Sequence, residues 1–110
     1  MKINGREVSN ENRLTVFGGV NVIESDDLLF SVAEKFKTLS EKLGFNFVFK
    51  ASFDKANRSS LDSFRGPGLD EGLKSLEKIK NELNLPVITD IHGPDQAVPV
   101  SEVCEVLQIP

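Results

Sequence analysis

The chain has 110 residues, the length of one small domain or of part of a larger one. Its hydrophobic fraction of 39% and charged fraction of 27% are typical of a folded, soluble protein and argue against a disordered chain. The net charge of −4 argues against nucleic acid as a partner, and no apolar run is long enough to span a membrane.

The first predicted element is a β-hairpin. Asn4 and Gly5 lie between Ile3 and Val8, and an Asn-Gly pair supplies the positive φ angles of a type I′ turn. We assign residues 1–13 to this hairpin and a polar lead-in. An apolar run rich in β-branched residues follows over 14–23 and predicts a buried strand, weakened or bent at its two adjacent glycines, positions 18–19.

A long amphipathic helix is predicted next. Ser25 is a good N-cap, and Gly44 is a natural residue to end a helix of roughly 17 residues. Apolar residues at three- and four-residue spacing predict its buried face: Leu29, Val32, Ala33, Phe36, Leu39 and Leu43.

The remaining predicted elements alternate between strand and helix. They are a strand over 45–51, a helix over 69–83, a strand over 86–91, a turn over 92–96, a short helix from Pro99 to Cys104 and a strand that begins at 106. Apolar strands that alternate with amphipathic helices predict an α/β fold with a parallel sheet. The pattern leaves two architectures open, a doubly wound sheet and a barrel of βα units.

Polar residues stand at the carboxyl end of each predicted strand, where α/β folds gather their functional groups. The first strand ends at 21–24, the second at Lys50 and Ser52, the third at Asp90 and His92, and the fourth contains Gln108. Each would be costly to bury without a partner, so their convergence predicts a site. His92, the single histidine, fits either a structural or a functional role.

The segment 50–68 is a basic island in an acidic chain. It carries four basic and two acidic side chains, and residues 52–68 show neither helical nor strand periodicity. Lysine and arginine both suit phosphate and carboxylate groups, which predicts a local anion site, although a solvated loop would have the same composition. The single cysteine, Cys104, can form no internal disulfide, and no secretory signal opens the chain, so we expect a cytoplasmic protein. We interpret Cys104 as a small buried hydrophobic residue.

Two long strings, residues 50–60 and 63–69, closely resemble the 3-deoxy-D-manno-octulosonate 8-phosphate synthase family. Shorter matches at 17–25, 89–92 and 106–110 occur in the same order along the chain. The resemblance implies a (β/α)₈ TIM barrel with an N-terminal hairpin. Residues 14–110 would then form the first three βα units and the start of strand 4 of one incomplete barrel domain.

The implied reaction joins phosphoenolpyruvate to D-arabinose 5-phosphate and water, and it releases inorganic phosphate. The resemblance implies a catalytic role for Lys55 and Asn21. It assigns phosphoenolpyruvate contacts to Lys50, Ser52, Lys55 and Gln108, and arabinose 5-phosphate contacts to Asn57, Arg58, Ser59 and Asp90. In the family, the residues that match Arg58 and Ser59 reach the site of a neighbouring subunit, which implies a homo-oligomer, usually a tetramer.

Asn21 decides the metal requirement within this resemblance. Metal-dependent members carry cysteine at this position as a ligand to a divalent ion, whereas metal-independent members carry asparagine. A neutral amide is a poor replacement for a thiolate in a transition-metal site. We therefore predict an enzyme with no metal and no other cofactor.

Two alternatives remain open. A sister synthase that uses erythrose 4-phosphate would favour Lys-Pro-Arg-Thr where this chain has Ala-Asn-Arg-Ser at 56–59. A truncated half barrel, inert or weakly anion-binding, would have no enzyme activity by itself. Because later strands supply further site residues in the family, we expect the isolated 110-residue chain to be inactive.

Overall fold

The structure is a computed structural model that describes residues 1–56, 62 and 64–110. In chain order its elements are β1 (Lys2–Ile3), β2 (Arg6–Glu7), β3 (Thr15–Gly19), α1 (Asp26–Leu43), β4 (Asn46–Lys50), α2 (Leu69–Leu83), β5 (Val87–Asp90), a 3₁₀ turn (Pro94–Gln96), α3 (Ala97–Ser101) and β6 (Val106–Gln108). Within the described part of the chain, no helix is both long enough and apolar enough to cross a membrane.

The predicted hairpin is confirmed. β1 pairs antiparallel with β2, and Ile3 lies opposite Arg6. Asn4 and Gly5 have φ angles of 52° and 78°, the left-handed conformation that a type I′ turn needs at both central residues.

The larger sheet has four strands in the order β3-β4-β5-β6, and every neighbouring pair is parallel. The predicted α/β fold with a parallel sheet is therefore confirmed. The strands lie side by side in chain order, because each helical crossover returns the chain to the edge of the growing sheet.

Helix α1 has the predicted caps, but part of its predicted face is wrong. The Ser25 Oγ accepts a hydrogen bond from the Leu28 N–H at 3.2 Å, and Gly44 ends the helix at a φ of 77°. Leu39 and Leu43, however, are 46% and 68% exposed. Leu39 lies about 80° around the helix from Leu29, at the edge of the face, and Leu43 lies in the final turn. Ser40 is the residue buried near the centre, where its hydroxyl donates to the Lys37 carbonyl.

The bounds of two further predicted elements are also wrong. The first strand ends at Gly19 and not at 23, because the chain turns at 20–23 and its backbone N–H groups bond only intermittently to the next strand. The last helix does not run from Pro99 to Cys104, since α3 spans Ala97–Ser101. The 3₁₀ turn that starts at Pro94 runs directly into α3, and Pro99 lies in the first turn of α3, where a missing N–H leaves no helical bond broken.

The sheet has two different faces because successive side chains of a strand point to opposite sides. The face covered by helices holds the main core, which includes Phe47, Phe49 and Val87. The other face holds a second cluster, in which the hairpin residue Ile3 covers Val48 and Ile88.

Cys104 lies in the main core and is 5% exposed, as predicted for a small buried hydrophobic residue. Burial raises the pKa of its thiol to about 12, and the neighbouring Glu105 carboxylate acts in the same direction. The thiol is therefore protonated at neutral pH and chemically inert.

Candidate functional site

A row of polar residues follows the second cluster along the same face of the sheet. Each polar residue comes two positions after an apolar residue of the second cluster or one packed against it. Lys50 follows Val48, Asp90 follows Ile88, and Gln108 follows Val106. Because side chains alternate along a strand, these polar groups point to the same side as the cluster. The structure thus brings three of the predicted strand ends together at the carboxyl edge of the sheet, as the sequence pattern predicted.

The register fixes the order within this row. Asp90 pairs directly with Gln108, and the β4–β5 ladder pairs Lys50 with Ile88. Ser52 lies two residues after Lys50, and Asp90 lies two residues after Ile88. Ser52 is therefore next to Asp90 at the carboxyl edge of the sheet. Ser52 and Asp90 are 0% and 3% exposed.

Two acceptor oxygens in the row are buried and have no hydrogen-bond partner among the described residues. They are Asp90 Oδ1 and Gln108 Oε1, which belong to paired residues on neighbouring strands. A buried acceptor without a donor costs about 1–3 kcal/mol, so folded proteins rarely keep two of them side by side. The two oxygens can therefore each accept a hydrogen bond from a donor outside the described residues.

The other half of the row is cationic. Lys55 Nζ donates a hydrogen bond to Ser52 Oγ at 3.0 Å, and Lys50 comes from the preceding strand end. Two lysines and a serine hydroxyl at one strand end suit the carboxylate and phosphate oxygens of an anionic ligand. The site therefore has a cation-rich side and an acceptor side.

The segment after β4 doubles back on itself near Lys55. The Lys55 N–H donates to the Arg65 carbonyl at 2.6 Å, and the Gly68 N–H donates to the Phe53 carbonyl at 3.0 Å. Arg65 Nε and Nη2 also donate to the two carboxylate oxygens of Asp54 at 2.9 and 3.0 Å. The hydrogen bonds and the charge of Asp54 raise the pKa of the Arg65 guanidinium. We call residues 53–55 and 65–68 the stem.

Glycine is required where the two sides of the stem approach. Gly66 has a φ of 115°, and a Cβ there would overlap the Phe53 carbonyl. A Cβ on Gly72, at the start of α2, would overlap the Phe53 side chain. The stem is thus packed directly against the N-terminal end of α2.

His92 connects the stem to the polar row. Its Nε2 lies 2.7 Å from the Asp54 carbonyl oxygen and 3.3 Å from Asp90 Oδ2. Both partners are acceptors, so Nε2 carries the hydrogen and donates it. The ring also packs edge-on against Phe53 at a centroid distance of 6.0 Å. The sequence left the role of His92 open, and the structure gives it contacts to two separate parts of the site.

Asn21 lies beside the cationic half of the row and is exposed. The Val20 and Ile23 N–H groups, on either side of it, donate to the Lys50 and Ser52 carbonyls, both at 3.0 Å. A Cβ at Gly19 would overlap the Lys50 carbonyl, so only glycine allows this approach. Among the described residues, no three histidine, cysteine, aspartate or glutamate side chains are grouped as a metal site would need.

Three predicted site residues, Asn57, Arg58 and Ser59, lie outside the described residues. Two features of the described site were not predicted. These are the Asp54–Arg65 pair and the contact of His92 with the Asp54 carbonyl. The Asp54–Arg65 pair could have been predicted from the opposite charges of these two residues near the two ends of the basic segment. The second involves a main-chain oxygen 38 positions away, and no side-chain pattern encodes it.

A cavity of about 330 Å³ lies at the opposite end of the sheet, between the hairpin and α1. Arg6, Lys37 and Asn46 contribute to its lining. The Arg6 guanidinium is already bonded to Asn46 Oδ1, and the Lys37 ammonium is bonded to the Leu83 carbonyl. These three polar side chains therefore have partners within the fold, in contrast to the two acceptors at the carboxyl edge.

The chain is similar to one protein family and to several named proteins. The DAHP synthetase I family matches residues 3–110. Proteins named 2-dehydro-3-deoxyphosphooctonate aldolase are 56% identical in Hahella chejuensis and Pseudoalteromonas translucida and 53% identical in Pseudomonas putida. Each similarity covers 100% of this chain and 39% of the relative.

The chain therefore spans about two fifths of the length of these relatives. Their name is another name for the synthase that residues 50–69 resemble, so the predicted resemblance is confirmed. By the match over residues 3–110, the chain belongs to the DAHP synthetase I family.

Proposed function

We propose that this chain is the N-terminal part of a (β/α)₈ barrel that condenses phosphoenolpyruvate with D-arabinose 5-phosphate and water. The products are 3-deoxy-D-manno-octulosonate 8-phosphate and inorganic phosphate, a step of lipopolysaccharide synthesis. The single observation that carries the proposal is the polar row, where lysines and unpartnered acceptors meet at the carboxyl edge of a parallel sheet. The names of the relatives support the same chemistry.

A barrel is favoured over a doubly wound sheet by the strand order. A doubly wound sheet reverses its strand order at a switch point, whereas β3, β4, β5 and β6 lie side by side in sequence. The twist of a parallel sheet extended in one direction closes it into a barrel. In such a barrel the polar row would line the mouth, where barrel enzymes have their active sites.

In the proposed reaction, carbon 3 of phosphoenolpyruvate attacks the aldehyde carbon of the pentose. Water adds at carbon 2, and the phosphate group leaves. Lys50, Ser52 and Lys55 hold the charged groups of phosphoenolpyruvate, with Gln108 at the same pocket. Lys55 and Asn21 stand nearest the reacting carbons, and Lys55 stabilises the charge that develops there.

Asp90 binds the pentose in this proposal. Its buried Oδ1 accepts a hydrogen bond from a sugar hydroxyl, which supplies the donor that residues 1–56, 62 and 64–110 do not provide. Asn57, Arg58 and Ser59 bind the sugar phosphate, with Arg58 and Ser59 acting across a subunit boundary. Because both substrates are anions, the site must hold two repelling molecules at reacting distance, and binding energy is converted into orientation.

The reaction is tested by a phosphate-release assay on the complete product of the gene. We expect release to require phosphoenolpyruvate and arabinose 5-phosphate together, and to be much slower with erythrose 4-phosphate. A preference for erythrose 4-phosphate would favour the sister synthase, which the family description also covers. Activity that persists in a chelator is expected for the metal-independent type, and its loss would contradict the role of Asn21.

A chimera separates the remaining alternative. Residues 1–110 are fused to the C-terminal part of the Hahella chejuensis relative, and that relative is the matched control. If the chimera is active and the complete product of this chain's gene is not, the chain is a truncated half barrel. The mass of the active species in solution tests the proposed tetramer.

A further inference from the structure

We propose that Arg65 and His92 are positioning residues that hold the main chain of Asp54 and Lys55 from two sides and so fix the Lys55 ammonium against Ser52. The inference rests on the proposed function, because it assigns these two side chains a purpose in that reaction. Neither belongs to the predicted substrate contacts.

The first support is on the Arg65 side. Its guanidinium binds both carboxylate oxygens of Asp54, at 2.9 and 3.0 Å, and its carbonyl accepts from the Lys55 N–H at 2.6 Å. One residue thus binds the side chain of Asp54 and the backbone of its neighbour. A two-pronged arginine–carboxylate pair restricts rotation as well as distance, which a single ion pair does not.

The second support is on the His92 side. Its Nε2 lies 2.7 Å from the Asp54 carbonyl oxygen and 3.3 Å from Asp90 Oδ2. The His92 side chain is 17% exposed, and its backbone N–H is bonded to Gln96 Oε1 at 2.8 Å. The backbone of His92 is therefore held in place. Its imidazole connects the backbone of Asp54, which precedes Lys55, to the Asp90 carboxylate that is proposed to bind the pentose.

The peptide between Asp54 and Lys55 lies between the Arg65 and His92 contacts. Lys55 directly follows Asp54 in the chain, and its Nζ donates to Ser52 Oγ at 3.0 Å. A shift of the Asp54–Lys55 peptide would move the ammonium relative to the substrates. A displacement of about 1 Å in a positioned group lowers rates by about 10²-fold.

The test measures phosphate release and phosphoenolpyruvate affinity in the complete gene product. Arg65→Met and His92→Phe each keep bulk and lose the donors. We expect each to lower kcat/KM about 10- to 100-fold, and we expect His92→Gln, which keeps an N–H near the Nε2 position, to recover most of the loss. Lys74→Met, which removes the exposed ion pair with Glu71 on α2, is the matched control and should leave activity unchanged.

Two combinations show whether the residues act through Lys55. The Arg65→Met, His92→Phe double variant should lose far less than the product of the single losses, because both act on one peptide. In a Lys55→Ala background, Arg65→Met should have no further effect on phosphoenolpyruvate affinity measured by calorimetry. A merely structural role would weaken binding equally in both backgrounds.

The inference is overturned if both single variants retain wild-type kcat/KM, if His92→Gln is no better than His92→Phe, or if the losses persist undiminished without Lys55. These outcomes leave the proposed function intact as long as the wild-type protein releases phosphate from its two substrates. A wild-type protein that does not release phosphate overturns the proposed function, and the positioning role is rejected with it.

Discussion

The two ends of one sheet face differ in how they treat buried groups. At the amino end, Ile3 of the hairpin covers Val48 and Ile88, and all three are at most 9% exposed. At the carboxyl end, Asp90 follows Ile88 on β5 by two residues and Gln108 lies beside it on β6, and each has a buried oxygen with no partner in the described part of the chain. The same backbone geometry thus supports a stabilising layer and a destabilising one within a few ångströms.

Because of this difference, we expect the carboxyl end of the face to carry the proposed function. Burial of an aliphatic side chain stabilises a fold by about 1.5–3 kcal/mol, whereas an unpartnered buried acceptor costs about 1–3 kcal/mol. A fold tolerates the second arrangement when a ligand supplies the missing donor. We therefore expect substitutions at the amino end to lower stability and substitutions at the carboxyl end to lower activity.

The largest effect is expected for Lys55→Met, at the centre of the polar row. We expect kcat to fall about 10³-fold, because the variant removes the charge proposed to stabilise the transition state, while the thermal unfolding temperature stays nearly constant. Phosphate release under saturating substrates measures this, with Lys74→Met as the control. A variant that loses less than about tenfold in kcat would remove Lys55 from the reacting centre.

Asp90→Asn comes next and should separate activity from stability. We expect kcat/KM for arabinose 5-phosphate to fall about 10²-fold, because the charged acceptor is lost. The free energy of unfolding should be unchanged or about 1 kcal/mol higher, because a buried charge has been removed. Steady-state kinetics and denaturant titration on one preparation measure both, and a loss of stability with normal kinetics would contradict the assignment.

Ile88→Ala, two residues earlier on β5, should give the reverse result. The variant leaves a cavity under the hairpin, and we expect it to lower the free energy of unfolding by about 2–4 kcal/mol. KM for both substrates should stay within about twofold of the wild-type value, since no polar group of the row is changed. A large rise in KM without a loss of stability would show that the two ends are not separate.

Cys104 gives the smallest effect, and it depends on pH. The unfolded thiol ionises near pH 9.0, but the folded thiol ionises only near about pH 12, so its contribution to stability is complete below pH 9 and disappears as pH rises towards 12. From pH 8 to pH 10 the wild-type protein should lose about 1 kcal/mol more stability than Cys104→Ala. Parallel stability curves for the two proteins would show that the thiol titrates normally.

The sequence predicted most of the fold because its signals are local. The Asn4–Gly5 turn and the Ser25 and Gly44 caps depend on residues within one turn of each other. The strand end at Gly19 could not be predicted, because residues 20–23 are as apolar and β-branched as a strand. Whether residues 20–23 continue the strand depends on which backbone carbonyls of the neighbouring strand lie within hydrogen-bond distance of their N–H groups.

The site shows the same division. The row of Lys50, Asp90 and Gln108 was predictable, since strand ends converge in any parallel α/β fold. The stem contacts other than the Asp54–Arg65 pair were not, because they run through backbone atoms, such as the Asp54 carbonyl that accepts from His92. Main-chain atoms are the same in every residue, so their distant partners leave no pattern in the sequence.

We propose that the carboxyl end of this face binds the substrates and that the amino end does not. A crystal structure of the complete gene product with phosphoenolpyruvate and arabinose 5-phosphate tests it most directly. We expect a pentose hydroxyl within hydrogen-bond distance of Asp90 Oδ1 and phosphoenolpyruvate oxygens at Lys50, Ser52 and Lys55. Substrates bound instead in the cavity between the hairpin and α1, beside Arg6 and Lys37, would contradict it.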